Sequence, residues 1–369
     1  MIRFLDLQKI NEIHQKAFQH KLDLILQKGW FVLGDEVALF EKNYATYCDS
    51  NHCIGVGNGL DALVLIFKAY IELGKLQKGD QVIVPANTYI ASILAIIAAD
   101  LIPVLVEPER NSFNLDPCLI EAKLTPKSKA ILVVHLYGQL ADMKSILTIA
   151  KKHNLIVVDD AAQSHGARFY TNSKIQNIDY QSNASAHSFY PSKNLGALGD
   201  GGAITTNDDL LASTLKMLRN YGSETKYLNQ IIGTNSRLDE LQAAFLNVKL
   251  PFLDAENKVR QQIAKRYLTA IKNPKIALPY WDYSSNHVFH LFVIRTQNRN
   301  DLQAYLSKNG IQTVIHYPIA PQHQQALKNW DFGYFPITDS IHEEVLSLPM
   351  HHLLSTENVD KIIQIINQY

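Results

Sequence analysis

The sequence from Ser185 to Asn207 reads SAHSFYPSKNLGALGDGGAITTN. It predicts a strand, a glycine-rich turn with one lysine, and a second strand, and the other predicted site residues are interpreted in relation to this turn. A short strand-like run, 186–190, ends at Pro191, which has no N–H to donate to a neighbouring strand. Four glycines then follow Lys193, and they indicate either positive φ angles or close approach of the backbone to another group. The segment therefore presents one lysine at a turn walled by backbone. The ordinary alternative is a hairpin with a solvated lysine.

The composition is typical of a globular protein and narrows the range of partners. With 369 residues, 47% hydrophobic and 19% charged, the chain is long enough for one large domain and a smaller one. Thirty-five basic residues balance thirty-five acidic ones, so neither nucleic acid nor a membrane surface is an expected partner. The most apolar window, 90–106, is too short to cross a bilayer. Three cysteines without a CxxC pair predict a reducing, cytoplasmic location and no metal site.

Apolar runs alternate with helical patterns along the first 250 residues. The runs lie at 53–56, 81–85, 103–106, 130–134 and 155–158, and such alternation predicts an α/β fold whose sheet is largely parallel and covered on both faces. The last hundred residues alternate shorter strands (288–294, 312–315) with helices and predict a smaller α+β domain. We therefore expect a large domain with an N-terminal arm at 1–250 and a small domain at 251–369.

Ligands of such sheets bind beyond the carboxyl ends of the strands, where three candidate features fall. The turn at 57–59 begins a helix whose unpaired N–H groups favour an anion, although many ordinary βα turns contain glycine. Tyr89 could stack on a flat ring or belong to the core, and Asp160 ends a strand with Gln163 close behind. Together with a lysine that can form an imine, these features match a pyridine aldehyde bearing a phosphate. A carboxylate beside the ring nitrogen would keep that nitrogen protonated.

Four motifs resemble a single family, in the expected order and over nearly the whole chain. They are NGLDAL at 58–63, DAAQSHGA at 160–167, SFYPSKN at 188–194 and NSRLDELQAA at 235–244. They resemble the DegT/DnrJ/StrS nucleotide-sugar aminotransferases, which depend on pyridoxal phosphate. The resemblance implies fold type I, the fold of aspartate aminotransferase.

The resemblance implies a role for each residue that matches the family's motifs. Lys193 is expected to form the imine with the cofactor and to move the proton during catalysis. Asp160 is expected to pair with the ring nitrogen, Gln163 to reach the ring hydroxyl and Tyr89 to stack on the ring. The phosphate is expected to be held by Gly59, Leu60 and Ser188, and by Asn235 of the other subunit of a homodimer. Many members have threonine where this chain has Leu60, so only the backbone N–H of Leu60 is expected to contribute.

A finer resemblance points to the branch that aminates carbon 3 of dTDP-linked 3-keto-6-deoxyhexoses with L-glutamate as donor. It rests on HLYGQ at 135–139, NYGS at 220–223 with the following Lys226-Tyr227, and HYP at 316–318. It implies that Tyr190, His316 and Tyr317 line the sugar pocket and that Lys226 enters from the partner subunit. The alternative for His316 and Tyr317 is a packing pair at a strand end.

Three other functions are compatible with parts of this pattern. Amination at carbon 4, or of a UDP-sugar, would use the same site. A dehydratase of the same fold is disfavoured because such relatives replace the imine-forming lysine by histidine, and this chain has Lys193. A non-catalytic sugar-nucleotide binder is disfavoured by the presence of Lys193, Asp160 and Gln163 together.

Overall fold

The computed structural model describes residues 1–171, 174–177, 182–225 and 227–369. The α-helices of these residues are α1 (Leu7–Glu12), α2 (Gln15–Lys28), α3 (Asp35–Tyr47), α4 (Gly59–Glu72), α5 (Ile90–Ala98), α6 (Met143–His153), α7 (Asp209–Leu218), α8 (Glu240–Lys249), α9 (Leu253–Ala270), α10 (Arg299–Lys308), α11 (Pro336–Glu344) and α12 (Thr356–Gln368). The strands are β1 (His52–Val56), β2 (Gln81–Pro85), β3 (Ile102–Val106), β4 (Ser128–Val134), β5 (Ile156–Asp160), β6 (Arg168–Thr171), β7 (Lys174–Asn177), β8 (Ala184–Ser188), β9 (Gly202–Thr206), β10 (Ser223–Thr225), β11 (Leu228–Asn229), β12 (Phe292–Arg295) and β13 (Val345–Leu348).

A seven-stranded sheet lies at the centre of the described part of the chain, in the order β1-β9-β8-β5-β4-β2-β3. The five strands from β8 to β3 are parallel, and β9 is antiparallel to both β1 and β8. The parallel pairing follows from the continuous apolar runs, because each strand is buried by helices on both faces. The predicted α/β class with a mixed, mostly parallel sheet is confirmed. The carboxyl ends of β1, β2, β5 and β8 meet at one edge of this sheet.

Helices α4 and α5 cover one face of the sheet and fix the loops that precede them. Buried side chains of α4, including Ile66 and Phe67, pack with Ile93 and Ile96 of α5 and with strand residues in one core cluster. The α5 sequence IASILAIIA is apolar nearly all round, which is typical of a helix buried in a large protein. In the most apolar window of the sequence, 90–106, the buried helix α5 is therefore followed by the strand β3. On the opposite face, α6 packs on β4 and β5.

The C-terminal hundred residues form a second core around β12, β13, α9, α10 and α12. The predicted strand 312–315 is wrong, because Val314 makes only an isolated bridge to Ser347 and the regular partner of β12 is β13. Leu327 and Phe335 belong to the core of the large sheet and not to this second core. The predicted division at 250/251 stays a prediction, since the segment around 327–335 packs against the first part of the chain.

Other segments of the described chain depart from the predicted elements. Helical periodicity predicts one helix over 10–28, but the structure divides this stretch into α1 and α2 around Ile13 and His14. The polar composition of 220–234 predicts a loop, but the described part of this segment contains the short pair β10–β11. Helix α11 was not predicted. Among the described residues, no helix combines the length and the apolar character needed to cross a membrane.

Candidate active site

A cavity of about 510 Å³ opens at the carboxyl edge of the sheet. It brings together ten of the twelve residues predicted for the site: Gly59, Leu60, Tyr89, Asp160, Gln163, Ser188, Tyr190, Lys193, His316 and Tyr317. These residues come from four separate segments of the first 250 residues and from one segment of the C-terminal region. Strand ends that are distant in sequence therefore meet here because the strands are neighbours in the sheet.

The N-terminus of α4 forms one end of the cavity. Asn58 caps this helix: its Oδ1 accepts from the N–H of Asp61 at 2.8 Å. The N–H groups of Gly59 and Leu60 have no acceptor among the described residues. A Cβ on Gly59 would lie 2.6 Å from Cβ of Ser188, so only glycine lets the end of β8 come this close. Free N–H groups, a helix dipole and the Ser188 hydroxyl suit a phosphate.

Asp160 supplies the carboxylate of the site and is held by two donors. Ser92 Oγ donates to Asp160 Oδ2 at 2.8 Å, and the N–H of Ala162 donates to Oδ1 at 3.2 Å. Thr88 Oγ1 lies 2.9 Å from Ser92 Oγ, so a chain of two hydroxyls begins beside Tyr89 and ends on the carboxylate. These contacts fix the orientation of Asp160, which lines the cavity and can accept from a protonated ring nitrogen.

Tyr89 lies at the mouth of the cavity, 52% exposed, and is not a core aromatic. Its ring is 5.1 Å from that of Tyr317 at an interplanar angle of 37°. A half-exposed ring beside Asp160 can cover a planar ligand. The structure therefore disfavours the alternative that Tyr89 is a core aromatic.

Lys193 lies in the turn after β8, where its N–H donates to the carbonyl of Tyr190 at 2.9 Å. The glycines around this turn have no positive φ; instead the backbone approaches other groups closely, since a Cβ on Gly196 would lie 2.4 Å from the Pro191 carbonyl oxygen. Burial lowers the pKa of Lys193 from 10.5 to about 8, with Asp160 acting in the opposite direction. No hydrogen bond or ion pair to its ammonium group occurs among the described residues. A substantial fraction of this amine is thus neutral near pH 8, as a nucleophile requires.

Gln163 connects the two halves of the site. Its Oε1 accepts from the N–H of Tyr137 at 2.7 Å, and its Nε2 donates to the hydroxyl of Tyr317 at 3.1 Å. Tyr137 Oη in turn donates to the carbonyl of His316 at 2.5 Å. The 316–317 peptide is therefore attached to the large domain, and both side chains line the cavity, which disfavours the alternative of a packing pair at a strand end. Burial, with a smaller contribution from Lys193, lowers the pKa of His316 to about 4, so its ring is neutral.

Two of the predicted site residues are not part of this cavity within one chain. Asn235 is exposed, forms an isolated bridge with Asn220 and is not among the residues that line the cavity. Lys226 lies outside the described residues. Tyr190 lines the mouth of the cavity and is 55% exposed.

Several residues of the site were not predicted. One of them is Ser92, whose hydroxyl donates to the carboxylate of Asp160. The others line the cavity and are Thr88, Asp200 and His290. A signal was present for Ser92 and His290, because each is a polar residue within an otherwise apolar run, IASILAIIA and VFHLFVI. Among the described residues, no cluster of three or more His, Cys, Asp or Glu side chains could hold a metal ion.

The donor set of the cavity fits pyridoxal phosphate. A phosphate matches the unpaired N–H groups of α4 and the Gly59 cradle, which a Cβ would fill. A protonated ring nitrogen matches the oriented carboxylate of Asp160, and an aldehyde matches the unpartnered amine of Lys193. The N-terminus of α4, the Asp160 carboxylate and the Lys193 amine all lie in the same cavity, which is the arrangement that the cofactor requires.

Comparison with known proteins gives consistent matches over the whole chain. Residues 12–367 match the model of the DegT/DnrJ/EryC1/StrS aminotransferase family. A relative from Aneurinibacillus thermoaerophilus, named dTDP-3-amino-3,6-dideoxy-alpha-D-galactopyranose transaminase, is 53% identical, with 100% of this chain and 99% of that protein covered. Of the solved structures, S. venezuelae DesV in complex with a ketimine intermediate has a TM-score of 0.94 at 41% identity, covering 100% and 98% of the two chains. Bacillus subtilis NtdA with bound cofactor PMP has a TM-score of 0.91 at 31% identity, covering 100% and 84%.

Proposed function

The chain belongs to the DegT/DnrJ/EryC1/StrS aminotransferase family, and from this premise we propose that it aminates carbon 3 of a dTDP-3-keto-6-deoxyhexose. The amino donor is L-glutamate, and the product is a dTDP-3-amino-3,6-dideoxyhexose. The observation that carries the proposal is the cavity in which Lys193, Asp160 and the N-terminus of α4 meet. The 53% identity to a transaminase named for a dTDP-3-amino-3,6-dideoxy sugar supports the substrate.

Bound pyridoxal phosphate supplies an aldehyde carbon for amines and a protonated ring that withdraws electrons from the carbon next to the nitrogen. Lys193 would hold the cofactor through its Nζ, and the free amine would move a proton between the two carbons that flank the transferred nitrogen. The low pKa of Lys193 favours this exchange, since its amine can be neutral or charged near pH 8. Asp160 keeps the ring nitrogen protonated through its carboxylate.

The remaining residues of the site bind and orient the cofactor and the sugar. The N–H groups of Gly59 and Leu60 and the hydroxyl of Ser188 hold the phosphate, and Gln163 contacts the ring hydroxyl. Tyr89 covers the ring. Tyr190, His316 and Tyr317 bind the sugar at the cavity mouth, where His316 is a neutral hydrogen-bonding group.

The working unit is a homodimer in which Asn235 and Lys226 reach the partner's cavity. Support comes from large apolar side chains that one chain leaves exposed. Trp30 is 60% exposed, Phe31 55% and Ile232 97%, and the segment around Phe31 lies beside Glu240 through the Glu240 N–H to Phe31 carbonyl contact. If these side chains were buried in an isologous contact between two copies of the chain, the dimer would contain two equivalent sites. A cytoplasmic location, where nucleotide-linked sugars are made, completes the proposal.

The test is to incubate purified protein with L-glutamate and each candidate keto sugar. The dTDP-3-keto-6-deoxyhexoses of galacto and gluco configuration are compared with dTDP- and UDP-4-keto sugars, and products are identified by mass and NMR. A 3-amino product is expected. A 4-amino product would replace the proposal by 4-amination, and a protein without a cofactor absorption band and without turnover would be a sugar-nucleotide binder.

A further inference from the structure

Helix α11 is hydrogen-bonded to the segment 316–323, which carries Tyr317 of the cavity wall. Asp339 of α11 holds one end of this segment, because its Oδ1 lies 2.8 Å from Nε2 of His323. One turn further along the helix, Nδ1 of His342 lies 2.8 Å from the carbonyl oxygen of Tyr317. The helix therefore contacts the backbone of a cavity residue, although none of its own described residues lines the cavity.

The contact with Tyr317 determines which nitrogen of His342 carries the proton. A carbonyl oxygen can only accept, so the proton lies on Nδ1, which donates to Tyr317. His342 is 3% exposed, and burial lowers its pKa to about 4, so the ring is neutral at pH 7 and Nε2 is unprotonated. Nε2 is buried without a hydrogen-bond partner among the described residues. The bond to Tyr317 is thus the single hydrogen bond of the ring within that part of the chain.

The end of strand β3 fixes α11 in turn. Glu107 directly follows this strand, and its carboxylate accepts from the N–H of Ile337 at 2.8 Å and from the N–H of Thr338 at 3.0 Å. The hydroxyl of Thr338 donates to the same carboxylate at 2.6 Å. A carboxylate at this position satisfies N–H groups that have no partner within the helix and complements the helix dipole. The His342 donor is therefore held in place relative to the central sheet.

Tyr317 is held at both ends. At its backbone, His342 is the one donor to the carbonyl oxygen that the described ranges supply. At the far end of the side chain, the hydroxyl accepts from Nε2 of Gln163 at 3.1 Å, and the ring lies 5.1 Å from the ring of Tyr89. The contact at the hydroxyl alone leaves the main chain free to turn. The two contacts together fix the direction from which the ring enters the cavity.

We propose that His342 is a positioning residue for sugar binding, because its Nδ1–H holds the carbonyl of Tyr317 and thereby keeps the Tyr317 ring directed into the cavity. The inference rests on the proposed function, in which Tyr317 binds the keto sugar. His342 does not line the cavity and acts through Tyr317. A change at His342 should therefore alter the KM for the keto sugar more than it alters kcat, since binding contacts shared by the ground state and the transition state affect KM.

Two substitutions of similar shape separate the hydrogen bond from simple packing. His342→Leu removes the donor and leaves the buried Tyr317 carbonyl without its partner, so the KM for the keto sugar should rise about 10-fold with kcat near the wild-type value. His342→Asn keeps an N–H donor near the position of Nδ1 and lacks an atom at the unpartnered Nε2. Its KM should stay near the wild-type value. An unchanged KM in His342→Leu, or an equal rise in both variants, would contradict the proposal, with circular dichroism verifying that both fold.

A second measurement uses the cofactor-free protein and does not depend on turnover. In protein labelled with ¹⁵N-histidine and ¹³C-tyrosine, NMR signals are assigned by their loss in His342→Asn and Tyr317→Phe. A protonated Nδ1 of His342 is expected, and the Tyr317 ring signals should shift in His342→Leu and stay in place in His342→Asn. A protonated Nε2, or unchanged Tyr317 signals in His342→Leu, would overturn the proposal. If the wild-type protein aminates no keto sugar, the proposed function fails, whereas these signals decide independently whether His342 positions Tyr317.

Discussion

At the scale of single residues, the chemistry of the site depends on how burial changes a few side chains. Lys193 has no partner among the described residues and a pKa of about 8 because its surroundings disfavour the charged form. Asp160 is held by Ser92 and by the N–H of Ala162. The Lys193 amine can therefore lose its proton near pH 8, and the Asp160 carboxylate in the same cavity is oriented as a hydrogen-bond acceptor.

We expect Lys193→Ala to abolish turnover while leaving the fold intact, because the amine makes no hydrogen bond within the described part of the chain that the fold would lose. Borohydride reduction of the wild-type protein, followed by peptide mass analysis, should find the cofactor on Lys193. Label on another lysine would contradict the assignment. Circular dichroism of the variant is the control for folding.

Asp160→Asn should slow turnover by about 100- to 1,000-fold, the range seen when one strong electrostatic contributor is lost. An amide oxygen can still accept from Ser92, so the variant should fold and bind cofactor. Steady-state kinetics, with cofactor content measured by absorbance, checks the expectation. Near-normal turnover would show that this carboxylate does not act on the ring nitrogen.

At the scale of secondary-structure elements, α4 and the end of β8 depend on each other. Asn58 caps α4 and leaves the first two N–H groups of the helix free, while Gly59 lets Ser188 approach. Gly202 of β9 has a related role, since a Cβ there would lie 2.4 Å from the carbonyl carbon of Asn58. The phosphate end of the cavity is therefore produced by the contact of three elements.

Gly59→Ala should weaken cofactor binding, because the added Cβ would lie 2.6 Å from Cβ of Ser188 and would force the helix N-terminus away. Overpacking of this kind costs about 1–3 kcal/mol, which corresponds to roughly a 5- to 150-fold weaker Kd. Titration of cofactor-free protein with pyridoxal phosphate gives the Kd.

The neighbouring substitution Leu60→Ala is the matched control for Gly59→Ala. Leu60 is 36% exposed, and its expected contribution is its backbone N–H, which the substitution keeps. The Kd of the Leu60→Ala variant for pyridoxal phosphate should therefore stay near the wild-type value. If both variants bind equally well, close packing against Ser188 is not required for the phosphate site.

At the scale of the whole molecule, one chain contains most but not all of the predicted site. Asn235 is exposed and is not among the residues that line the cavity of its own chain. The 316–317 peptide, by contrast, reaches the large domain within the chain through Tyr137 and Gln163. The C-terminal region therefore lines the cavity within one chain, and the proposed dimer would add Asn235 and Lys226 from the partner subunit.

Mixing inactive Lys193→Ala with an inactive Asn235→Ala or Lys226→Ala protein should restore part of the activity after subunit exchange. In a mixed dimer with shared sites, one site carries both lesions and the other carries neither. Exchange is verified with differently tagged subunits, and activity is measured with L-glutamate and the keto sugar. Absence of recovery after verified exchange would place Asn235 and Lys226 in their own chain's site.

The sequence by itself determined the central sheet and most of the residues that line the proposed cofactor site. Strands at 81–85 and 130–134 could be predicted because both faces of the sheet are covered, which makes each run continuously apolar. Gly59 and Asp160 could be located because each lies at a helix start or a strand end, and Lys193 because it lies in the glycine-rich turn after β8. The carboxyl edge of the sheet then brings them together.

Only the tertiary structure decided the contacts between segments distant in sequence. The segment 312–315 is not a strand because a strand needs a paired neighbour, and β13 takes that place beside β12. The sequence left open whether the glycines after Lys193 are needed for positive φ angles or for close approach of the backbone to another group. The structure shows close approach, because the backbone of Pro191 packs directly against Gly196. Likewise, Ser92 acts on Asp160 and Asn194 orients His290 through hydrogen bonds across the fold. Sequence periodicity reports which faces are buried, but the partner of a buried polar group is set by the three-dimensional arrangement.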